Sequence, residues 1–379
     1  MGKAKNILLG AVILMPLLAQ AGPKDKYRLE IFYRQVDPWI YQHTDPRNQK
    51  NFNPKNLTGH YSFQAGGRED LYGSIDVVYL IFSLGELKDR TTPGSRAEWA
   101  KAIQQYQDPE TGWFSRGNEA FHFKSHATAY AVSALKLLGA KPLYPLTSAQ
   151  KLTGSKEATE KWLSSILWDY VWVGSHQGGG IASALQITGE ADENFFENYF
   201  SWLEQRVNPA TGLWQLGIRN KFSTKPIKME MGGAPHFWWI YWHAGRDLPY
   251  PEKIIDTCLS LQLANGLWDD QQKKGIYRPY CINLDAIWSI NRARRQLLKN
   301  GKSYREDEIY LAFERALDQS VKSLNQPDSL FILYPKTHQL PGAVAGMAEL
   351  DLYFQEKEGQ TRLLTNSRLK PVLDYVSWL

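Results

Sequence analysis

Long apolar runs are scarce in this sequence. The longest, "ILLGAVILMPLL" from Ile7, has twelve residues, well short of the roughly 20 that a membrane-spanning helix needs. It follows the basic start "MGKAKN" and precedes the small-residue stretch "AQA" before Gly22, the layout of a cleaved secretory signal. Residues 1–21 are therefore expected to be a signal peptide, and the protein secreted or periplasmic with no membrane contact after its removal. Cysteine is nearly absent: Cys258 and Cys281 are the only two, which leaves one pairing open and excludes CxxC redox or zinc-ribbon chemistry. Excess charge is also small. The formal charge of +5 falls to +3 without Lys3 and Lys5, too little to argue for nucleic acid as a partner. There is no P-loop, no dinucleotide-binding glycine fingerprint and no serine-hydrolase elbow, so no cofactor and no metal is expected.

What the chain has in quantity is repetition. "SHATAYAVSAL" from Ser125 and "SHQGGGIASAL" from Ser175 put Ser-His ahead of a small-residue helix, and four further segments fit the same register. Taking Tyr72, His126, His176, Gly232, Cys281 and His338 as equivalent gives spacings of 54, 50, 56, 49 and 57 residues. Amphipathic segments lie between them, from "SRAEWAKAIQQYQ" to "SRLKPVLDYVSWL". Six helix pairs of about fifty residues predict an all-α (α/α)6 toroid over residues 71–379, six inner helices inside six outer ones, with an open helical solenoid as the alternative. Residues 22–70 then form an N-terminal extension capping the barrel.

The register assigns faces. Five, six and nine residues past each anchor the side chains are apolar, as in Val77, Val78, Ile81 and Ala131, Val132, Leu135; this stripe should meet the outer helices. The opposite stripe, at 0, 4, 7 and 11, carries polar and aromatic groups: His126, His176 and His338 at the anchor, Asp76, Tyr130, His236 and Asp285 one turn on, then Tyr79, Ser183, Trp239 and Trp288, then His243, Arg292 and Glu349. Such a stripe predicts a lined cavity, open at the N-terminal ends of the inner helices.

Three of the intervening segments end in a related phrase: "QDPETGWF" from Gln107, "QRVNPATGLW" from Gln205 and "QLANGLW" from Gln262. Gln, a short turn and Gly-x-aromatic resembles the repeat of squalene–hopene cyclases and, more broadly, the terpenoid cyclase and protein prenyltransferase β-subunit superfamily of α/α toroids. The resemblance implies that Trp113, Trp214 and Trp268 are structural plugs between units. Its chemistry transfers poorly. The Asp-x-Asp-Asp acid of the cyclases is missing, and of the prenyltransferase zinc ligands only Cys281 and His338 have counterparts, with Pro279 where the Asp belongs.

On this fold, in a secreted protein, a carbohydrate substrate is the leading expectation, by analogy of fold and compartment. Asp76 and Asp285 occupy the same slot in units one and five and are expected to face each other, as a glycosidase requires. Alternatively His126, His176 or His236 is a base, Tyr130 an acid and Arg278 or Arg292 the cation of a uronate lyase. Tyr72, Trp239, Tyr277, Arg278, Tyr280, Trp288 and His338 are expected to bind substrate, with Glu119, Glu230 and Asp269 at the rim. The alternatives are a cyclase- or prenyltransferase-like catalyst on an isoprenoid and a non-catalytic glycan-binding protein.

Overall fold

The computed structural model describes residues 27–117, 123–191 and 193–379; the expected signal peptide and Glu119 lie outside them. The chain is mostly helical: α1 (Glu30–His43), α2 (Leu71–Ser83), α3 (Pro93–Gln104), α4 (Lys124–Leu138), α5 (Thr147–Thr153), α6 (Lys156–Ser164), α7 (Val171–Thr188), α8 (Glu193–Glu204), α9 (Lys228–Gly233), α10 (Pro235–His243), α11 (Pro251–Ser260), α12 (Cys281–Lys299), α13 (Glu306–Leu324), α14 (Ser329–Leu333) and α15 (Leu340–Glu358). The described strands are two residues each, Gln272–Lys273 against Ile276–Tyr277. No described helix is long and apolar enough to cross a membrane.

Local sequence sets the helix limits. Asp70 accepts from the Gly73 amide at the start of α2, and Thr92 and Ser95 form a reciprocal capping box around Pro93 at the start of α3, satisfying amides that a helix leaves bare. Pro235 breaks the fourth anchor segment into α9 and α10, because its ring cannot fit or donate inside a helix.

The six anchor segments touch in sequence: α2 packs on α4, α4 on α7, α7 on α9 and α10, these on α12, α12 on α15, and α15 returns to α2. The glycine run of "SHQGGGIASAL" explains how α7 can sit so close to both neighbours. A methyl on Gly180 would stand 2.8 Å from the Ser125 carbonyl, and one on Gly178 would be 2.7 Å from the Phe237 ring, closer than van der Waals contact permits. Cys258 and Cys281 are both free.

Segment 367–379 differs from expectation. "SRLKPVLDYVSWL" is not a helix but an extended strap with one 3-10 turn, Val372–Asp374, and Pro371 keeps it from winding further. It runs into the space between the anchor helices. The His243 Nε2 meets the Leu373 carbonyl at 2.8 Å, Arg292 donates to Asp374 at 2.6 Å, Ser377 meets Ser183 at 2.9 Å, and the Tyr79 hydroxyl donates to the Trp378 carbonyl at 2.7 Å. Of the deeper stripe residues, Tyr79, Ser183, His243 and Arg292 therefore hold protein rather than lining a void. At the other end of the chain, α1 docks beside α14. Asn325 accepts from the Ile31 and Phe32 amides, and Trp39 donates to the Tyr334 carbonyl.

The recurrent Gln phrase proves to be a splice between units. Gln107, buried, donates to the carbonyls of Gly112 (3.1 Å) and Tyr144 (2.7 Å) and accepts from the amides of Leu143 (2.7 Å) and Tyr144 (3.0 Å). Gln262 donates to Gly266 and Ala312, both at 2.8 Å. The turn bonds align Val207, not Gln205, with these two, and Gln205 reaches only Ser201 at the surface. In the first unit the buried plug is Phe114 rather than Trp113, which is only partly covered; Trp214 and Trp268 are buried as expected. Gln107→Leu strands two carbonyls and two amides and should cost about 2–4 kcal/mol in urea unfolding. Gln205→Leu should stay within about 0.5 kcal/mol; equal effects would refute the splice.

Candidate functional site

A cavity of about 550 Å³ opens at the N-terminal ends of the anchor helices. Its walls come from α4 (His126), α7 (Trp172, Val173, His176), α10 (His236, Trp239) and α12 (Cys281, Leu284, Asp285). The loops before α12 and α15 add Arg278, Tyr280, Lys336 and His338, the loop before α2 adds Phe63, and Leu379 of the strap closes the bottom. Of the expected substrate-binding residues, Trp239, Arg278, Tyr280 and His338 are on the wall. Tyr72 and Trp288 are fully buried behind it, and Tyr277 sits on the short strand ribbon outside the lining.

The two expected carboxylates have different surroundings, and only Asp285 is on the cavity wall. Asp76 is saturated: the Tyr130 hydroxyl donates to it at 2.7 Å, Thr337 donates to its other oxygen, and His338 Nδ1 lies 3.0 Å away. His338 can give Nδ1–H to Asp76, the arrangement by which a carboxylate sets an imidazole tautomer. Tyr130 is a tether for Asp76, and burial, followed by the Asp76 charge, pushes its hydroxyl far up. It is therefore a poor proton donor.

Among the described residues Asp285 has no hydrogen-bond partner for either oxygen. It is wholly buried, and desolvation raises its pKa well above the usual 3.8. Such a setting favours the protonated carboxyl, which can give its proton to a ligand. His126, His176 and His236 form a file beside it, with ring centroids 4.5 and 5.1 Å apart. The Tyr72 hydroxyl meets His126 Nδ1 at 3.0 Å. Ser175 gives its proton to the Trp172 carbonyl at 2.6 Å and so accepts from His236 Nδ1 at 2.7 Å. Burial lowers the His236 pKa to about 3, leaving that ring neutral.

Several rim candidates turn out to be structural. Glu230 is enclosed by Gln215, Arg219, Asn220 and the Ile227 amide. Asp269 receives Lys228 at 2.7 Å and the Tyr280 hydroxyl; burial acts to raise its pKa, but these donors outweigh it and hold the carboxyl below the usual range. Arg292 cannot serve a substrate either, because it grips Glu349 with two bonds of 3.0 and 2.9 Å beneath the strap. The cations at the mouth are Arg278 and Lys336. The zinc arrangement implied by the resemblance does not fit: burial pushes the Cys281 thiol far up, and no described group of three or more His, Cys, Asp or Glu can hold a metal ion.

Trp172 was legible in principle, one turn before His176 on the same face. Phe63, Lys336 and Leu379 come from loops and the strap, which carry no period to read.

The proton on Asp285 has a measurable consequence. Folding raises this pKa, so from about pH 4 upward the native state holds a proton that the unfolded chain has lost, and the group subtracts stability as pH rises. Asp285→Asn should gain stability over wild type by up to about 1.4 kcal/mol per pH unit as pH rises above the usual carboxylate range. His236 acts with the opposite sign: its lowered pKa costs stability as pH falls from 6.5 towards about 3, and His236→Asn should shrink that acid loss. Urea titrations across pH check both, and a pH-independent difference for Asp285→Asn would contradict a protonated carboxyl.

Comparison of the chain with protein-family models, with curated proteins and with solved structures finds no match.

Proposed function

We propose that the protein is a secreted or periplasmic carbohydrate-active enzyme of (α/α)6 toroid architecture that cleaves an anionic oligosaccharide by elimination. The observation that carries this reading is the pairing of two unlike groups on one cavity wall: His338 bonded through Nδ1 to Asp76, and Asp285 buried with no described hydrogen-bond partner. Arg278 and Lys336 at the mouth, with the N-terminal ends of the surrounding helices, favour a carboxylate there. In the proposed reaction His338 removes the proton α to a uronate carboxylate. The electron pair forms the C4–C5 double bond, the C4–O bond breaks, and Asp285 protonates the leaving oxygen. Arg278 or Lys336 offsets the charge that builds on the carboxylate. Retaining or inverting hydrolysis is less well served, since Asp76 is saturated and off the wall.

A second reading draws on the same acid. A neutral Asp285 in a cavity walled by Trp172, Trp239, Leu284 and Val173 is also suited to protonating an alkene, in keeping with the cyclase resemblance.

A panel of uronate-containing and neutral oligosaccharides, read by ultraviolet absorbance of unsaturated products and by reducing ends, separates these. Absorbance is expected from wild type, with His338→Gln and Asp285→Asn each lowering kcat/KM by about 100- to 10,000-fold. Asp76→Asn should fall by at least about 100-fold through loss of the imidazole tautomer. Reducing ends without absorbance would replace elimination by hydrolysis, and bound sugar without turnover would leave a glycan-binding protein. Hydrocarbon products from a linear isoprenoid, with no action on sugars, would establish the second reading.

A further inference from the structure

Part of the space between the anchor helices is filled by the chain itself. Trp378 is fully buried, and its ring packs against the histidine file, while Leu379, next in the chain, is the strap residue on the cavity wall. The Trp378 ring centroid lies 5.6 Å from His126, 6.2 Å from His176, 5.1 Å from His236 and 5.7 Å from Trp239. The indole nitrogen has no hydrogen-bond partner, so the ring is held by shape alone, while the strap's other groups are pinned. Tyr79 of α2, Ser183 of α7, His243 of α10 and Arg292 of α12 each bond a different strap residue. The seat is also cut to fit: a methyl on Gly179 of α7 would lie 2.9 Å from the Trp378 ring. Four helices thus hold the strap from separate sides, and its one large unbonded side chain lies next to the groups that line the cavity.

We infer that Trp378, packed behind the wall residues His126, His176, His236 and Trp239, backs the closed end that Leu379 lines and sets specificity, so that a ligand enters from one end and only to a fixed depth. A cavity of about 550 Å³ is of the size that encloses one drug-sized molecule, which corresponds to the terminal one or two rings of a saccharide rather than the middle of a polymer. The enzyme therefore works from chain ends. This chain-end specificity rests on the carbohydrate reading; the depth limit itself does not. The polar groups Tyr79, Ser183 and His243 are already bonded to the strap, so the truncated site gains length but no new reactive group.

Trp378→Ala tests both parts, with circular dichroism and a thermal melt to establish folding. An oligosaccharide ladder with a labelled far end should show wild type trimming from one end, and Trp378→Ala releasing products longer by at least one unit while still using His338. In parallel, indole should bind Trp378→Ala and raise its melting temperature by about 2 °C at roughly tenfold excess over Kd, with no shift in wild type. Unchanged product size in the folded variant overturns the specificity role, and absence of indole binding overturns the depth limit. If wild type turns over no saccharide, the carbohydrate reading falls and the indole measurement alone decides the depth limit. Should Trp378→Ala not fold, Trp378→Leu keeps an apolar branch in the layer and is read in the same two ways, with benzene in place of indole.

Discussion

The contacts of α2 with α4, α4 with α7, α7 with α9 and α10, these with α12, α12 with α15 and α15 with α2 leave a space between these helices. Helix axes pack about 8–10 Å from their neighbours, so a space bounded on several sides is not filled by side chains alone. Everything distinctive in this molecule follows from how that space is divided. The strap takes one part. Another part stays open and is lined by His126, His176, His236, His338 and Asp285. Bonds from Tyr79, Ser183, His243 and Arg292 are directed at the strap, while residues nearer the helix starts are left for a ligand.

The site is unusual in leaving its acid bare while over-supplying its other carboxylate. Asp76 collects three donors, whereas Asp285, at the matching point of its own repeat, collects none. Desolvation without compensation costs several kcal/mol for a buried charge, and the cheaper state is the neutral one. Repetition thus provides two equivalent positions, and the neighbours, Tyr130, Thr337 and His338 in one case and no hydrogen-bonding group among the described residues in the other, give them opposite surroundings.

The helical period and the two stripes were legible because each is written six times: an apolar stripe such as Val77, Val78 and Ile81 can be recognised only against its counterparts. The cavity-facing histidines followed from the same register. The sequence could not disclose that Asp76 and Asp285 would part company, since the difference lies in Thr337 and His338, some 260 residues from Asp76. Nor could it reveal the strap. "SRLKPVLDYVSWL" has the composition of one more amphipathic helix, and only the free volume between the others gives it a different place. The Gln phrase misled in its register: Gln205 satisfies the spelling, but the turn bonds show Val207, two residues on, in that position and Phe114, not Trp113, as the first plug.

The return of α15 to α2 has a consequence for assembly. Contacts that close the circuit join residues almost the length of the chain apart, as do Tyr27 with Asp318 and Trp39 with Tyr334. Such contacts are gained only after a large loop has been closed. During synthesis the early helix pairs can therefore form and stack, but their inward faces remain wet until the strap arrives. The strap, emerging after the helices it touches, finds a groove already bounded by α2, α7, α10 and α12, and its insertion is the step that dries the interior. Until then the chain exposes a broad apolar and aromatic surface, the kind of species that a folding assistant must shield.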